Sequence, residues 1–477
     1  MTAGDWPLAL RAARTLDRLG SLPPDARFLL VGEAFRGGDW RAARQQIEAV
    51  ERERLFAFAV PVLRAWLAVG EGRGDPLSFL PKADASGIAA SYAAEHRPLL
   101  LAAAGRPEAA RLIVESDAQG PRALRLRLAA AATLAARGRN EAALALLEGE
   151  EPPVATARLL VEAGRPVPGA VADAPAGIAE LMVRIALDLN AQDLAPVAAS
   201  FARMAAWLAP DSGQNWMVAA ELLADLNQAE LAVALLDNVL VDDPFAEAAR
   251  DQRIRLLIEA GRGERALREA EAAAGAQEAK AADLVRLGEV LMDRGRPAEA
   301  ASAFARAIEL REGAAAGVPE WALWLLRGGA HDEAGDWPQA KAALEEAYRL
   351  APEQPLVLNY LGYAQLERRE NLQEAERLVR EAHRLAPDNA AITDSLGWAL
   401  FLNGEVDEAI ALLEQAVEGA PADVEINEHL GDAYFAAGRR VEARFAWAAA
   451  RVYAEGEDAV RLDAKIERGL TPQLAAR

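Results

Sequence analysis

The chain has 477 residues, of which 52 are Lys or Arg, 73 are Asp or Glu and none is Cys. The formal net charge of −21 disfavours a nucleic-acid partner, because an acidic surface repels a phosphate backbone. Without cysteine the chain has no disulfide, no thiol nucleophile and no thiolate metal site. No uncharged apolar run approaches the roughly 18 residues that a membrane span needs.

Glycines recur at nearly constant spacing in the first third of the chain. They stand 34, 34, 33 and 33 residues apart, at Gly4, Gly38, Gly72, Gly105 and Gly138. Such a period is typical of stacked helical hairpins, in which a glycine takes the left-handed turn between two helices. We therefore predict degenerate helical repeats over residues 1–164.

The first residues have the sequence of a hairpin turn. Gly4-Asp5-Trp6 recurs as Gly38-Asp39-Trp40 and as Gly335-Asp336-Trp337. A chain that opens at a turn lacks the first helix of that hairpin, so the remaining helix would leave its apolar face uncovered. We therefore expect the natural protein to have more sequence upstream of Met1, which would have room for an export signal.

A Pro/Gly-rich segment then breaks the period. Pro166, Pro168 and Pro175 lie between Gly164 and Gly177, which predicts a linker or bend at residues 165–177. A regular array is predicted over residues 178–452. Residues 311–319 interrupt that array and are predicted to form a loop inserted beside it.

The clearest repeat unit covers residues 390–421. Its positions recur one unit later in the pairs Gly397 and Gly431, Gly404 and Gly438, Ala409 and Ala443, Leu413 and Trp447, and Ala416 and Ala450. Large residues at helical spacing would fill the space between two antiparallel helices, and small ones would stand where the helix axes come closest.

This pattern resembles the tetratricopeptide repeat (TPR). The resemblance implies an all-α fold, a right-handed solenoid of 11 or 12 helical hairpins, of which the first six are degenerate. Residues 453–477 are predicted to form a capping helix and tail, because a terminal repeat needs a polar outer face.

The last repeats resemble one group of these proteins more closely. Phrases such as Leu358-Asn-Tyr-Leu-Gly-Tyr363 and Asp394-Ser-Leu-Gly-Trp-Ala-Leu400 are similar to the C-terminal repeats of a proteobacterial family. Its members are usually exported and often lipid-anchored, and one branch delivers substrates to a carboxy-terminal processing protease in the periplasm. The resemblance implies an envelope role, although this chain shows neither a signal peptide nor a lipidation cysteine.

The resemblance to this repeat class also implies a concave partner-binding face, lined by positions 2, 5, 9 and 12 of each first helix. In the last three units those positions include Asn359, Tyr363, Asp394, Trp398, Phe401, Glu425, Glu428, Asp432 and Phe435. Aromatic side chains among carboxylates favour a protein or peptide with apolar anchors and Lys or Arg. Alternatively, these aromatic side chains only pack between neighbouring helices.

The sequence predicts no catalytic, cofactor or metal site. The histidines stand far apart and have no second ligand at helical spacing: His96, His331, His383 and His429. The glycine-rich residues 70–74 follow no predicted strand and precede no Lys-Ser or Lys-Thr, so they do not predict a phosphate-binding loop. We therefore expect no enzymatic activity.

The expected function is that of a non-catalytic scaffold or adaptor that captures a protein or peptide on the concave face. The alternative within binding proteins is a component of an envelope assembly or polysaccharide-export complex. From another class, the chain would be the regulatory array of an enzyme whose catalytic part lies upstream. If an export signal precedes Met1 in the natural protein, we expect the protein in the periplasm or at the outer membrane. Otherwise we expect it in the cytoplasm.

Overall fold

The computed structural model describes residues 4–115, 120–277, 279–310, 318–471 and 474. These residues form 26 α-helices and no β-strand, so the predicted all-α fold is confirmed. The chain divides into two compact units, Met1–Ala270 and Glu271–Arg477.

Helices occupy most of both units. Up to the boundary they are α1 (Trp6–Arg18), α2 (Pro24–Gly37), α3 (Trp40–Glu53), α4 (Val60–Glu71), α5 (Ile88–Ala103), α6 (Glu108–Val114), α7 (Gly120–Ala136), α8 (Asn140–Leu146), α9 (Pro152–Glu162), α10 (Ala174–Asn190), α11 (Ala195–Leu208), α12 (Gly213–Ala224), α13 (Ala229–Leu236), α14 (Ala246–Glu259) and α15 (Gly263–Ala274), which contains the boundary. The second unit continues with α16 (Ala281–Asp293), α17 (Pro297–Leu310), α18 (Glu320–Glu333), α19 (Trp337–Leu350), α20 (Pro355–Glu367), α21 (Leu372–Leu385), α22 (Ala390–Leu402), α23 (Val406–Gly419), α24 (Val424–Ala436), α25 (Arg440–Tyr453) and α26 (Gly456–Arg468).

The periodic glycines lie in the turns that their spacing predicts. All five in the first unit have positive φ, from +63° at Gly72 to +78° at Gly4. Gly404 and Gly438 take the same left-handed conformation in the second unit. An L-residue is strained there, which explains why glycine recurs at this position of the repeat.

The second unit is built from helix pairs in chain order. α16 packs on α17, α18 on α19, α20 on α21, α22 on α23 and α24 on α25. The pairs approach closely at the small-residue position of the first helix. A Cβ placed on Gly431 would lie 2.4 Å from the Trp447 ring, and one on Gly397 would lie 2.8 Å from Leu413. Part of the predicted insert, residues 311–317, lies outside the described residues.

The first unit departs from a regular array at α10. Neighbouring helices still pack in order, but α10 also contacts α2, α4 and α5, which precede it by many residues. Residues 177–186 of α10 are buried without interruption, so this helix has no solvent face along that stretch. A helix that is apolar on all sides is expected in the interior of a protein rather than on a stacked wall.

Polar side chains also hold α10 in place. The guanidinium groups of Arg125 and Arg184 pair with the carboxylates of Glu180 and Glu95, and all four side chains are buried. The Tyr92 hydroxyl donates to Asp188 over 2.7 Å. These contacts join α5 and α7 to α10, so paired charges compensate for the burial of polar groups.

The Pro/Gly-rich segment lies within the first unit. Residues 163–173 connect α9 to α10 without forming helix, and Val167 and Val171 on this segment are buried. The backbone N–H of Val171 donates to the Thr133 hydroxyl over 2.7 Å. The segment is therefore packed against α7, and the boundary between the compact units falls later, at Ala270 and Glu271.

Candidate partner-binding surface

The nine predicted concave residues lie on α20, α22 and α24, the first helices of the last three pairs. Four of them are buried within the chain: Asp394, Trp398, Glu428 and Asp432. The others are exposed or partly exposed: Asn359, Tyr363, Phe401, Glu425 and Phe435. The predicted set therefore separates into residues that a partner can reach and residues engaged in internal contacts.

The acidic residues of α24 are neutralised by α26. Glu428 accepts two hydrogen bonds from Arg461, at 2.8 and 2.7 Å, and lies 2.6 Å from the Lys465 ammonium. Asp432 accepts from the same ammonium at 2.7 Å and from the Trp447 indole N–H at 2.9 Å. Burial raises the pKa of the Glu428 carboxyl, but Arg461 and Lys465 together hold it below its usual value.

Glu428 and Asp432, which the sequence assigned to the partner-binding face, are therefore buried and engaged within the chain, and partner contact by them stays a prediction. Both carboxylates are covered by α26 and already hold their counter-charges. The prediction assigned positions on α24 without considering which side chains of the next helix would face them. Alanine at either position would remove one of the two carboxylates that neutralise the buried Lys465 ammonium, so it would test stability rather than partner binding.

A buried aromatic cluster occupies the middle of the predicted face. His429 shares a hydrogen bond of 2.9 Å with Asp394 and stacks on Trp398 at 4.0 Å between ring centroids. Trp398 also stacks on Phe401, at 4.9 Å. Burial lowers the pKa of His429, but nearby carboxylates, above all Asp394, bring it above its usual value. Asp394 and Trp398 on α22 therefore both contact His429 on α24. For Trp398 this is the packing role that the sequence left open as the alternative for the aromatic side chains.

The reachable polar part of the face is the acidic surface, which we define as Tyr363, Glu367 and Glu425. The Tyr363 hydroxyl donates to the exposed carboxylate of Glu425. Burial and then the charge of Glu425 raise the pKa of the Glu367 carboxyl. Arg368 lies 3.7 Å from Glu367 but also pairs with Asp332. Arg368 and His429 lower the pKa of Glu367 without offsetting burial and Glu425.

Glu367 was not among the predicted residues. It follows position 12 of the first helix in its unit, so the positional rule taken from the repeat class omits it. Phe435 belongs to the predicted set, yet its ring packs against Trp447, with 5.7 Å between ring centroids. Asn359, on α20, is partly buried. The most accessible charge of the set is that of Glu425.

Neither a metal cluster nor a membrane span occurs in the described part of the chain. Within it, no group of three or more His, Asp or Glu side chains is arranged to hold a metal ion. None of its helices has both the length and the apolar character needed to cross a membrane.

Comparison with known proteins finds two matching repeat models. Two family models described as tetratricopeptide repeat match the sequence, one over residues 252–316 and 325–390 and the other over residues 368–423 and 400–465. No curated protein matches the chain.

Several solved structures are similar at low identity. A thermophilic TPR protein from Thermus thermophilus is 23% identical over 39% of this chain and 99% of its own, with a TM-score of 0.35. A tetratricopeptide repeat protein from Parabacteroides merdae is 12% identical over 54% of this chain and 97% of its own, with a TM-score of 0.43. A chain of the APC/C hetero-tetramer Cut9–Hcn1 is 18% identical over 97% of this chain and 93% of its own, with a TM-score of 0.43.

The matched residues include most of the helix pairs from α16–α17 to α24–α25, which pack around small-residue contacts. Residues 252–316 and 325–465 therefore match the tetratricopeptide repeat.

Proposed function

We propose that this chain is a non-catalytic protein-binding scaffold and that its second unit captures a protein or peptide. The observation that carries the proposal is the match of tetratricopeptide-repeat models across that unit, since stacked repeats of this kind create extended binding surfaces. The adaptor role toward a processing protease and the envelope location stay predictions from the sequence resemblance. So do the envelope-assembly and enzyme-regulatory alternatives.

The chemistry of the acidic surface favours a cationic anchor on the partner. Glu367 and Glu425 lie close enough for the charge of one to raise the pKa of the other, and Arg368 is shared with Asp332. A Lys or Arg side chain placed between the two carboxylates would relieve their repulsion and form charge-assisted hydrogen bonds. The partly exposed Phe401 offers an apolar contact on the neighbouring first helix.

The first prediction concerns the charge of the acidic surface. Changing Glu367→Gln and Glu425→Gln together should weaken binding of a Lys- or Arg-containing peptide about tenfold, because two partly desolvated carboxylates each contribute on the order of 0.5–1 kcal/mol. The measurement is fluorescence anisotropy with the full chain and a panel of synthetic peptides that carry Lys or Arg beside an apolar residue.

The matched control for this test is Glu418→Gln on α23, which removes an exposed carboxylate away from the acidic surface. It should leave the affinities unchanged. Equal binding of a panel in which Gln replaces Lys and Arg would contradict the cationic anchor. Purification of the full chain from its native host, followed by mass spectrometry, would supply the partner for the same variants.

The second prediction concerns pH. The pKa of Glu367 lies above its usual value of 4.5 in the folded chain. Glu367 therefore gains its proton at a higher pH than an ordinary glutamate. The neutral carboxyl no longer repels Glu425 and no longer attracts the Lys or Arg of a peptide. Peptide affinity should decline on acidification from pH 7 before ordinary carboxylates titrate, and Glu367→Gln should remove this early decline. The measurement is the same anisotropy titration repeated across pH, with peptides that contain no histidine.

A further inference from the structure

The outer face of α25 carries large apolar side chains where its sister helices carry polar side chains or alanine. Val441, Phe445, Val452 and Tyr453 are 66, 73, 73 and 58% exposed. The positions of the first three are held one repeat earlier, on α23, by the exposed residues Asp407, Ala411 and Glu418. Two repeats earlier, on α21, they are held by the exposed residues Gln373, Arg377 and Arg384. Because these positions face solvent in the sister helices, stacking of repeats does not require apolar side chains there.

The apolar residues follow the spacing of a coiled-coil seam. Val441, Phe445, Ala448 and Val452 are separated by four, three and four residues, which places them in one row along the helix. Ala443 and Ala450, on the opposite side of α25, are buried within the hairpin. The helix therefore uses one face for its own fold and presents a two-heptad seam on the other. We call this row the α25 seam.

The flank of the α25 seam is basic in a protein whose net charge is −21. Arg444 and Arg451 lie seven residues apart and so occupy the same flank position in successive heptads. Arg444 is exposed and forms no ion pair with another described residue, and Arg451 pairs with Asp463 while remaining 40% exposed. A facing helix with carboxylates on that flank would match this pattern.

Other occupants fit the same pattern less well. A second copy in antiparallel orientation would set Arg444 and Arg451 against the same two residues, and in parallel orientation it would set Arg444 against Ala449. A flat anionic membrane would also meet the carboxylates that α23 holds at the equivalent positions, among them Asp407 and Glu418. A narrow acidic helix meets neither obstacle.

We propose that the α25 seam binds an amphipathic helix of another protein, with apolar residues at its own seam positions and Asp or Glu on the flank that faces Arg444 and Arg451. The α25 seam is separate from the acidic surface. The seam favours an acidic partner, whereas the acidic surface favours a basic one. The chain would then hold two different proteins, a basic one on the first helices of the second unit and an acidic one on the outer side of its last pair.

The test uses two designed three-heptad peptides with Leu at the seam positions. One carries Glu at the flanking positions and the other carries Lys. In a full chain whose acidic surface carries Glu367→Gln and Glu425→Gln, the Glu peptide should bind about tenfold more tightly than the Lys peptide at low salt, and the difference should shrink as salt screens the charges. Phe445→Ser with Val452→Ser should abolish binding, and Arg444→Glu with Arg451→Glu should reverse the preference between the peptides.

The controls and contrary results are equally specific. Ala411→Ser, at the position of Phe445 on α23, should leave the binding of both peptides unchanged, and the two changes on the acidic surface should leave binding of the Glu peptide unchanged. Failure to bind the Glu peptide, or equal binding of both peptides, would overturn the proposal. Binding to phosphatidylserine vesicles that depends on Phe445, without peptide binding, would assign the seam to membranes. Concentration-dependent dimerisation that Phe445→Ser abolishes, again without peptide binding, would assign it to a second copy.

Discussion

Changing Gly177→Ala should destabilise the first unit by about 3 kcal/mol, the upper part of the range for overpacking a core. A Cβ on this residue of α10 would lie 2.0, 2.2 and 2.4 Å from three ring carbons of Trp66 on α4. The indole cannot move aside easily, because it is completely buried and its N–H donates to Nδ1 of the buried His96 over 3.1 Å. The substitution should therefore force α10 away from α4.

Hydrogen exchange measured by mass spectrometry on the full chain gives the readout, because it reports each helix separately. Amides of α10 and α4 should exchange faster in Gly177→Ala, while those of α20 to α25 should keep their protection. Gly37→Ala is the matched control, since the added methyl group at the end of α2 meets no atom within 4 Å. Unchanged protection of α10 in Gly177→Ala would show that α10 does not pack tightly against α4.

The regular features of the fold follow from local sequence, and these could be predicted. A turn that requires positive φ selects glycine, and a close approach of two helices selects a small residue, so both leave a mark at fixed intervals. The turn at Gly438 and the contact of Gly431 with Trp447 are examples. The same local rules predict which helices pair within the second unit.

The position of α10 could not be predicted from spacing alone. The prolines at 166, 168 and 175 indicate an interruption, but nothing in a repeat period shows that the next helix returns to α2, α4 and α5. One signal was present in the sequence. The stretch from Ala174 to Ala186 has no polar side in the sense of an amphipathic helix, and its only charged residues, Glu180 and Arg184, form buried ion pairs.

The candidate surface was predicted only in part, for a related reason. A rule about positions on a first helix identifies side chains that point toward the next first helix, and whether they are free depends on that helix. Tyr363 on α20 and Glu425 at the start of α24 remain reachable. For α24 the next helix is α26, whose Arg461 and Lys465 occupy the carboxylates. The capping helix was predicted, but its charges were not matched to those carboxylates.

Lys465 on α26 is expected to be a determinant of stability for the last repeat, and Lys465→Met should cost about 3–5 kcal/mol locally. The Lys465 side chain is fully buried, and its ammonium contacts Asp432, also fully buried, and Glu428. Without the ammonium, Asp432 keeps a negative charge away from water, and the Trp447 N–H that still donates to it does not neutralise that charge. Amides of α26 should then exchange rapidly with solvent, because undocking this helix is the simplest way to hydrate the carboxylate.

Two companion variants separate the buried charge from ordinary packing. Arg461→Gln removes a partly exposed cation while Lys465 still neutralises Glu428, so it should cost only about 1 kcal/mol. Adding Asp432→Asn to Lys465→Met should restore protection of α26, because a neutral amide oxygen still accepts from Trp447 and leaves no charge to compensate. If the double variant exchanged as fast as Lys465→Met alone, packing of the lysine stem would hold α26 in place. If Lys465→Met exchanged no faster than Arg461→Gln, the buried pair would contribute little and another contact would anchor this helix.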